Sequence, residues 1–141
     1  MTASNLISKL KGFDVEQAIA DSIEETKDKF IELNLGQMAE GKRSDGQDIQ
    51  PEPYSSGYAK RRQKKGLQTD FIDLRFTGGM YQNAGLIVDN DVIRLGSEVD
   101  YEQFVSQRFA KIWGLDDESK KIYEPILMNE LREKLKEQLY G

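Results

Sequence analysis

Leu86-Ile87-Val88-Asp89-Asn90-Asp91-Val92-Ile93-Arg94-Leu95-Gly96 is the stretch on which the fold class turns. Two β-branched apolar runs flank a short polar turn and close at a glycine, the pattern of a β-hairpin. The other strong periodicities in the chain are helical, so this hairpin separates an α+β fold from an all-α one. Downstream, Val99, Tyr101, Phe104 and Val105 predict a short helix over 99–107 on the hairpin's return path. Phe109, Ile112, Trp113 and Leu115 then crowd around Gly114. Trp113 reads as a core anchor rather than a stacking platform.

Two long amphipathic helices bracket this centre. The last begins near Asp116-Asp117-Glu118, acids suited to the positive end of a helix. Ile122, Leu127, Leu131, Leu135 and Leu139 line one side of it. Pro125 removes a backbone donor and clashes one turn back, which predicts a kink near 121–125 or a late start there. The first long helix is predicted over 14–33. Asp14 with Gln17 makes its capping box, and Val15, Ile19, Ile23, Phe30 and Leu33 make its apolar stripe. Its other face is acidic, with Glu16, Asp21, Glu24, Glu25, Asp28 and Glu32.

Between helix and hairpin the chain changes character. Gly41, Gly46, Pro51 and Pro53 predict an exposed connector over about 41–54. Ser55 or Ser56 can cap a basic helix over about 55–65, stopped by Gly66, with Tyr58 as its apolar anchor. Residues 67–76 alternate loosely, as a short strand or an extended lead-in would. The expected architecture is a single α+β domain spanning 1–141. A small antiparallel β-sheet is flanked by long N-terminal and C-terminal amphipathic helices, with an extended connector loop.

Composition bounds the chemistry. The 141 residues include no Cys and no His. That excludes thiolate and imidazole metal sites, disulfides, and Ser-His-Asp or Cys-His nucleophile systems. No apolar run is long enough for a signal peptide or a membrane span, so a non-secreted domain without membrane contact is expected. Neighbouring carboxylates such as Asp70/Asp73 and Glu98/Asp100/Glu102 read as caps or solvated charge. No catalytic, metal or cofactor residue is nominated, and a non-enzymatic role is expected.

The densest feature is Lys60-Arg61-Arg62-Gln63-Lys64-Lys65, five cations in six positions with no acid among them. On a helix they cover most of the circumference, which predicts that they face outward. A solvated turn, an acidic surface on another subunit and nucleic acid all remain open for Lys60, Arg61, Arg62, Lys64 and Lys65. The acidic helix 14–33 of a neighbouring copy is one such acidic surface. Thr77-Gly78-Gly79 is too short for a phosphate-binding loop. It reads as a structural turn in which Thr77 can cap and the glycines allow positive φ.

The order of these motifs resembles a known family. Tyr54-Ser55-x-x-Tyr58-Ala59-x-x-Arg62-x-x-x-Gly66, then Leu74-x-x-Thr77-Gly78-x-Met80, then a hairpin, is similar to the virion-morphogenesis and tail-completion proteins of tailed bacteriophages. Arg108-Phe109 and Gly114-Leu115-Asp116 before the last helix extend the likeness to roughly residues 35–135. Gly79 and Glu102 depart from the family pattern, as does the lack of a proline between Arg108 and Phe109.

The resemblance implies a structural component of the phage particle at the neck or tail end. Such a part joins head to tail or completes the tail, assembled as a homo-oligomeric ring around the DNA channel. It implies other neck, connector or tail proteins as partners, non-specific DNA contact within a channel, and location in the virion after assembly in the bacterial cytoplasm. The connector and basic helix, 41–66, are expected to reach a neighbouring subunit or a different virion protein. The alternative is a small nucleic-acid-binding module using 58–65.

Overall fold

The computed structural model describes residues 2–75, 77–89 and 92–141. In chain order the elements are helices α1 (Ala3–Lys11), α2 (Val15–Ala39), α3 (Ser56–Lys64) and α4 (Gly79–Gln82), strands β1 (Ala84–Asp89) and β2 (Val92–Ser97), and helices α5 (Glu102–Arg108) and α6 (Asp117–Tyr140). This is the α+β arrangement expected, with long helices toward both ends and a two-stranded antiparallel sheet. The hairpin register pairs Leu86 with Leu95 and Val88 with Ile93. Asn90 and Asp91 of its expected turn, and Phe76, lie outside the described residues. Over the described part of 67–76 no strand forms.

The helix ends follow local chemistry. Asp14 Oδ1 accepts from the Gln17 amide at 3.1 Å, but the Gln17 side chain turns forward to Asp21 instead of closing the box. Ser55 caps α3 through the Tyr58 amide, and Gly66 follows that helix with φ +74°. Asp116 caps α6 through the Ser119 amide at 2.8 Å. Helix α6 is continuous through Pro125 from Asp117 onward, so the late start does not occur. Helix α1, capped by Thr2, was not foreseen.

Helix α2 leaves the N-terminal part of its apolar stripe uncovered and half-buries Ile23, Phe30 and Leu33. Its buried positions are Ala18, Ser22, Thr26, Asn34, Gln37 and Met38, while Val15 and Ile19 are exposed. The reason is the partner. Small side chains at 18, 22 and 26 bring α2 close to α6, and their hydroxyls are satisfied within the helix. Ser22 Oγ donates to Ala18 O and Thr26 Oγ1 to Ser22 O, each at 2.7 Å, the back-bonding typical of hydroxyl residues in helices. Thr26 Oγ1 also meets the Tyr123 hydroxyl at 2.7 Å, and Phe30 packs edge-on against the Tyr123 ring. On α6, correspondingly, Ser119 and Tyr123 are buried whereas Ile122 is exposed.

The core proper lies at the other end of α2. Met38, Ile49, Ile72, Met80 and Ile112 form one buried cluster, joined by Leu35, Leu74, Phe109 and Trp113 among others. Burying side chains of this size stabilises by about 1.5–3 kcal/mol each. Irregular segments are fastened to α2 here by amides. Asn34 Nδ2 donates to Ile112 O and its Oδ1 accepts from the Gly114 amide, at 2.9 and 2.8 Å. Gln37 does the same with Gly114 O and the Asp116 amide.

The 41–54 connector is exposed at 45–48 and 51–53 and tied to the domain at other points. Lys42 bridges Asp48, the Ser44 amide donates to Lys111 O at 2.7 Å, and both Gly41 and Ile49 are buried. Gly41 is required: its φ is +76°, and an added Cβ would sit 2.6 Å from the Phe71 ring.

Candidate functional site

The basic helix α3 is where the cations were expected to share one outward role, and Arg62 does not share it. Its guanidinium is only 1% exposed. The correction has a simple cause. Tyr58 and Arg62 lie on one face of α3, four residues apart, and that face turns into the domain against the 67–75 segment. Lys60, Arg61, Lys64 and Lys65 stay exposed.

Arg62 holds a polar cluster together. Its Nη2 reaches both Asp73 carboxylate oxygens, at 3.0 and 3.2 Å. Its Nε donates to Gln68 O at 2.9 Å and its Nη1 to Arg75 O at 2.5 Å. Its flat face lies over the Tyr54 ring, 4.4 Å from the centroid, a desolvated cation–π contact. Tyr54 in turn meets Tyr58 edge-on at 5.3 Å.

Asp73 is bonded on every side. Oδ1 accepts from the Tyr54 hydroxyl, the Arg62 guanidinium and the Arg75 amide, and Oδ2 from Arg62 and the Gln68 side chain. The Tyr81 hydroxyl donates to the Asp73 carbonyl. Burial, reinforced by the Asp73 charge, pushes the Tyr54 phenol up to about 12. The same two causes hold Tyr81 well above the ordinary phenol range. These donors come from Tyr54, Arg62, Gln68 and Arg75, so the cluster fixes the chain path. Part of that path is strained, since Leu74 next door has φ +60°, costly for a branched side chain.

The Thr77-Gly78-Gly79 turn leads into α4. Gly78 is buried with φ +85° and starts α4, while Thr77 Oγ1 accepts from the Gly79 amide at 3.3 Å. Thr77 and Gly78 line one groove with Tyr58, Leu74 and Met80. Glu102, one of the departures from the family pattern, also has a packing use: its Oε1 accepts from Trp113 Nε1 at 3.0 Å and from the Ser106 hydroxyl. In the sequence Asp73 reads only as a carboxylate neighbour of Asp70. Its spacing from Arg62 carries no periodic signal that could have paired them.

Among the described residues, no group of three or more carboxylates, His or Cys is arranged to hold a metal. No helix there is long and apolar enough to cross a membrane. Comparison with protein families, curated proteins and solved structures gave no match.

Proposed function

We propose that this chain is a structural subunit of a tailed-phage particle, acting at the neck or tail end and assembling as a ring around the DNA channel. The observation that carries the reading is the ordered series from Tyr54 through Arg62, Gly66, Leu74 and Thr77-Gly78 to Met80. Its residues serve packing: the Arg62–Asp73 pair, the Tyr54 stack and the positive-φ glycines organise a fold instead of presenting reactive groups. A motif used in this way suits an assembly part. Further support comes from apolar side chains left outside, among them Ile87, Val92 and Ile93 on the hairpin, since exposed apolar patches mark contact surfaces.

Peptide mass spectrometry of density-banded particles made from a genome carrying this sequence tests the proposal. Negative-stain imaging of the purified chain with candidate neck proteins complements it. The expected result is the chain in mature particles and in rings. A chain missing from particles and unable to join any neck protein would refute the reading.

A second reading keeps one specific observation, the exposed cations Lys60, Arg61, Lys64 and Lys65 on a single helix. A nucleic-acid module using them would neutralise at most about four phosphates. Its affinity would then fall by roughly two orders of magnitude between 50 and 200 mM salt. Binding that is absent at about 50 mM salt would remove this alternative.

A further inference from the structure

The stripe that α2 fails to bury ends in an open cleft. Ile19, Ala20 and Ile23 form one wall, and Val88 and Ile93 of the hairpin form the other, around a volume of about 360 Å³. Asp14 and Glu16 stand on its rim, and no cation lines it among the described residues. Ile93 is 46% exposed and Val15, beside the rim, 53%.

Helix α1 is the counterpart in both respects. It buries no residue and carries two lysines and no acid. Its inner side is held on α6, where Lys9 Nζ donates to Leu139 O at 3.0 Å and Gln138 Nε2 to Lys9 O at 3.4 Å. Its outer face presents Ile7 and Leu10, 52% and 49% exposed. Lys11, four residues after Ile7, stands at the edge of that face. This is an apolar ridge with a basic edge, opposite in charge to an apolar cleft with an acidic rim. Helix α1 packs on α6, and none of its residues lines the cleft of its own chain.

We infer that the occupant of the cleft is the α1 helix of a second copy of this chain. Ile7 and Leu10 enter between Ile19 and Ile93, and Lys11 faces Asp14 and Glu16. Ridge and cleft are different surfaces, so the contact is head-to-tail and each subunit keeps one free ridge or cleft for the next. Such a contact closes into a ring or grows as a filament. The inference rests on the assembly reading above and supplies it with a named contact.

Sedimentation analysis of the full-length chain over a concentration series tests it, with Ile7→Asp and Ile93→Asp as the two variants. The unaltered chain is expected to form concentration-dependent oligomers. Each variant alone is expected to weaken association by at least roughly tenfold, the effect of losing a central apolar anchor. An equal mixture of the two is expected to form heterodimers, because one variant keeps an intact ridge and the other an intact cleft.

A monomeric unaltered chain, oligomers indifferent to both substitutions, or a mixture that fails to associate would each overturn the inference. If either Asp variant loses its folded circular-dichroism spectrum, Lys11→Glu takes its place. That variant should weaken association, and Glu16→Lys in the neighbouring copy should restore it; failure of the rescue overturns the inference too. Oligomers insensitive to every substitution, in a chain still found in particles, would defeat this contact and leave the particle reading in place. Intact head-to-tail association by a chain absent from particles would do the reverse.

Discussion

The two ends of α2 reverse the usual placement of charge and hydrocarbon in opposite ways. At the C-terminal end an Arg–Asp pair sits inside the domain, saturated with hydrogen bonds and covered by Tyr54 and Tyr81. Toward the N-terminal end Val15, Ile19 and Ile93 stand partly in water beside a cleft. Buried charge is tolerated only when paired and fully bonded, and that condition fixes the irregular 67–75 segment in one conformation. Exposed hydrocarbon carries no such obligation to its own chain. One end of the helix is therefore closed by its own chain, and the other leaves hydrocarbon in water.

The sharpest way to break this contrast is to remove one member of the pair. Arg62→Leu leaves Asp73 buried without its counter-charge, and should cost about 3–5 kcal/mol in urea denaturation. Lys64→Leu, two residues along the same helix but exposed, should change stability by less than about 0.5 kcal/mol. Equal effects would mean that α3 does not have two different faces.

Asn34→Ala comes next. It strips partners from Ile112 O and the Gly114 amide deep in the core, and a loss of about 2–3 kcal/mol is expected by the same assay.

Alkaline titration sharpens the picture of the buried end. Tyr54, at about 12 in the folded chain against 10.0 ordinarily, keeps its proton where the unfolded chain has lost it. Between those values the unfolded state binds fewer protons, so stability is whole below pH 10 and falls as pH rises toward 12. Tyr81 adds to the fall in the same direction. Chemical denaturation at stepped pH should show this decline, and Tyr54→Phe should flatten it while lowering stability at neutral pH.

At the open end the expected effects are small. Ile93→Asp should cost the monomer less than about 1 kcal/mol, measured at a concentration too low for association. A loss as large as that of Arg62→Leu would make the cleft part of the core and erase the distinction. Smallest of all is Lys111→Gly. Lys111 is exposed with φ +60°, and glycine adopts that conformation without strain. Thermal unfolding should show a gain of up to about 1 kcal/mol.

Much of the architecture was legible because it depends on near neighbours in the chain. The hairpin at 84–97, the caps Asp14, Ser55 and Asp116, and the α5 and α6 helices follow from residues within a few positions of one another. The polar cluster was not legible: Arg62 and Asp73 meet across eleven positions of chain with no repeat, and a run of cations reads as solvated until something buries one of them. The α2 stripe misled for a related reason. Periodicity shows that a helix has an apolar side, but not which neighbour that side will meet. Here the Ala18–Ser22–Thr26 side won α6 because small residues allow the closer approach.

Sequence alone therefore determined an α+β domain without thiol or imidazole chemistry, with an acidic first long helix and a basic short one, because composition and local periodicity act residue by residue. Tertiary structure alone decided which cation is internal, which face of α2 is covered and which hydrocarbon stays outside. Those outcomes depend on the shapes brought together across the fold, and no local pattern in the chain encodes them.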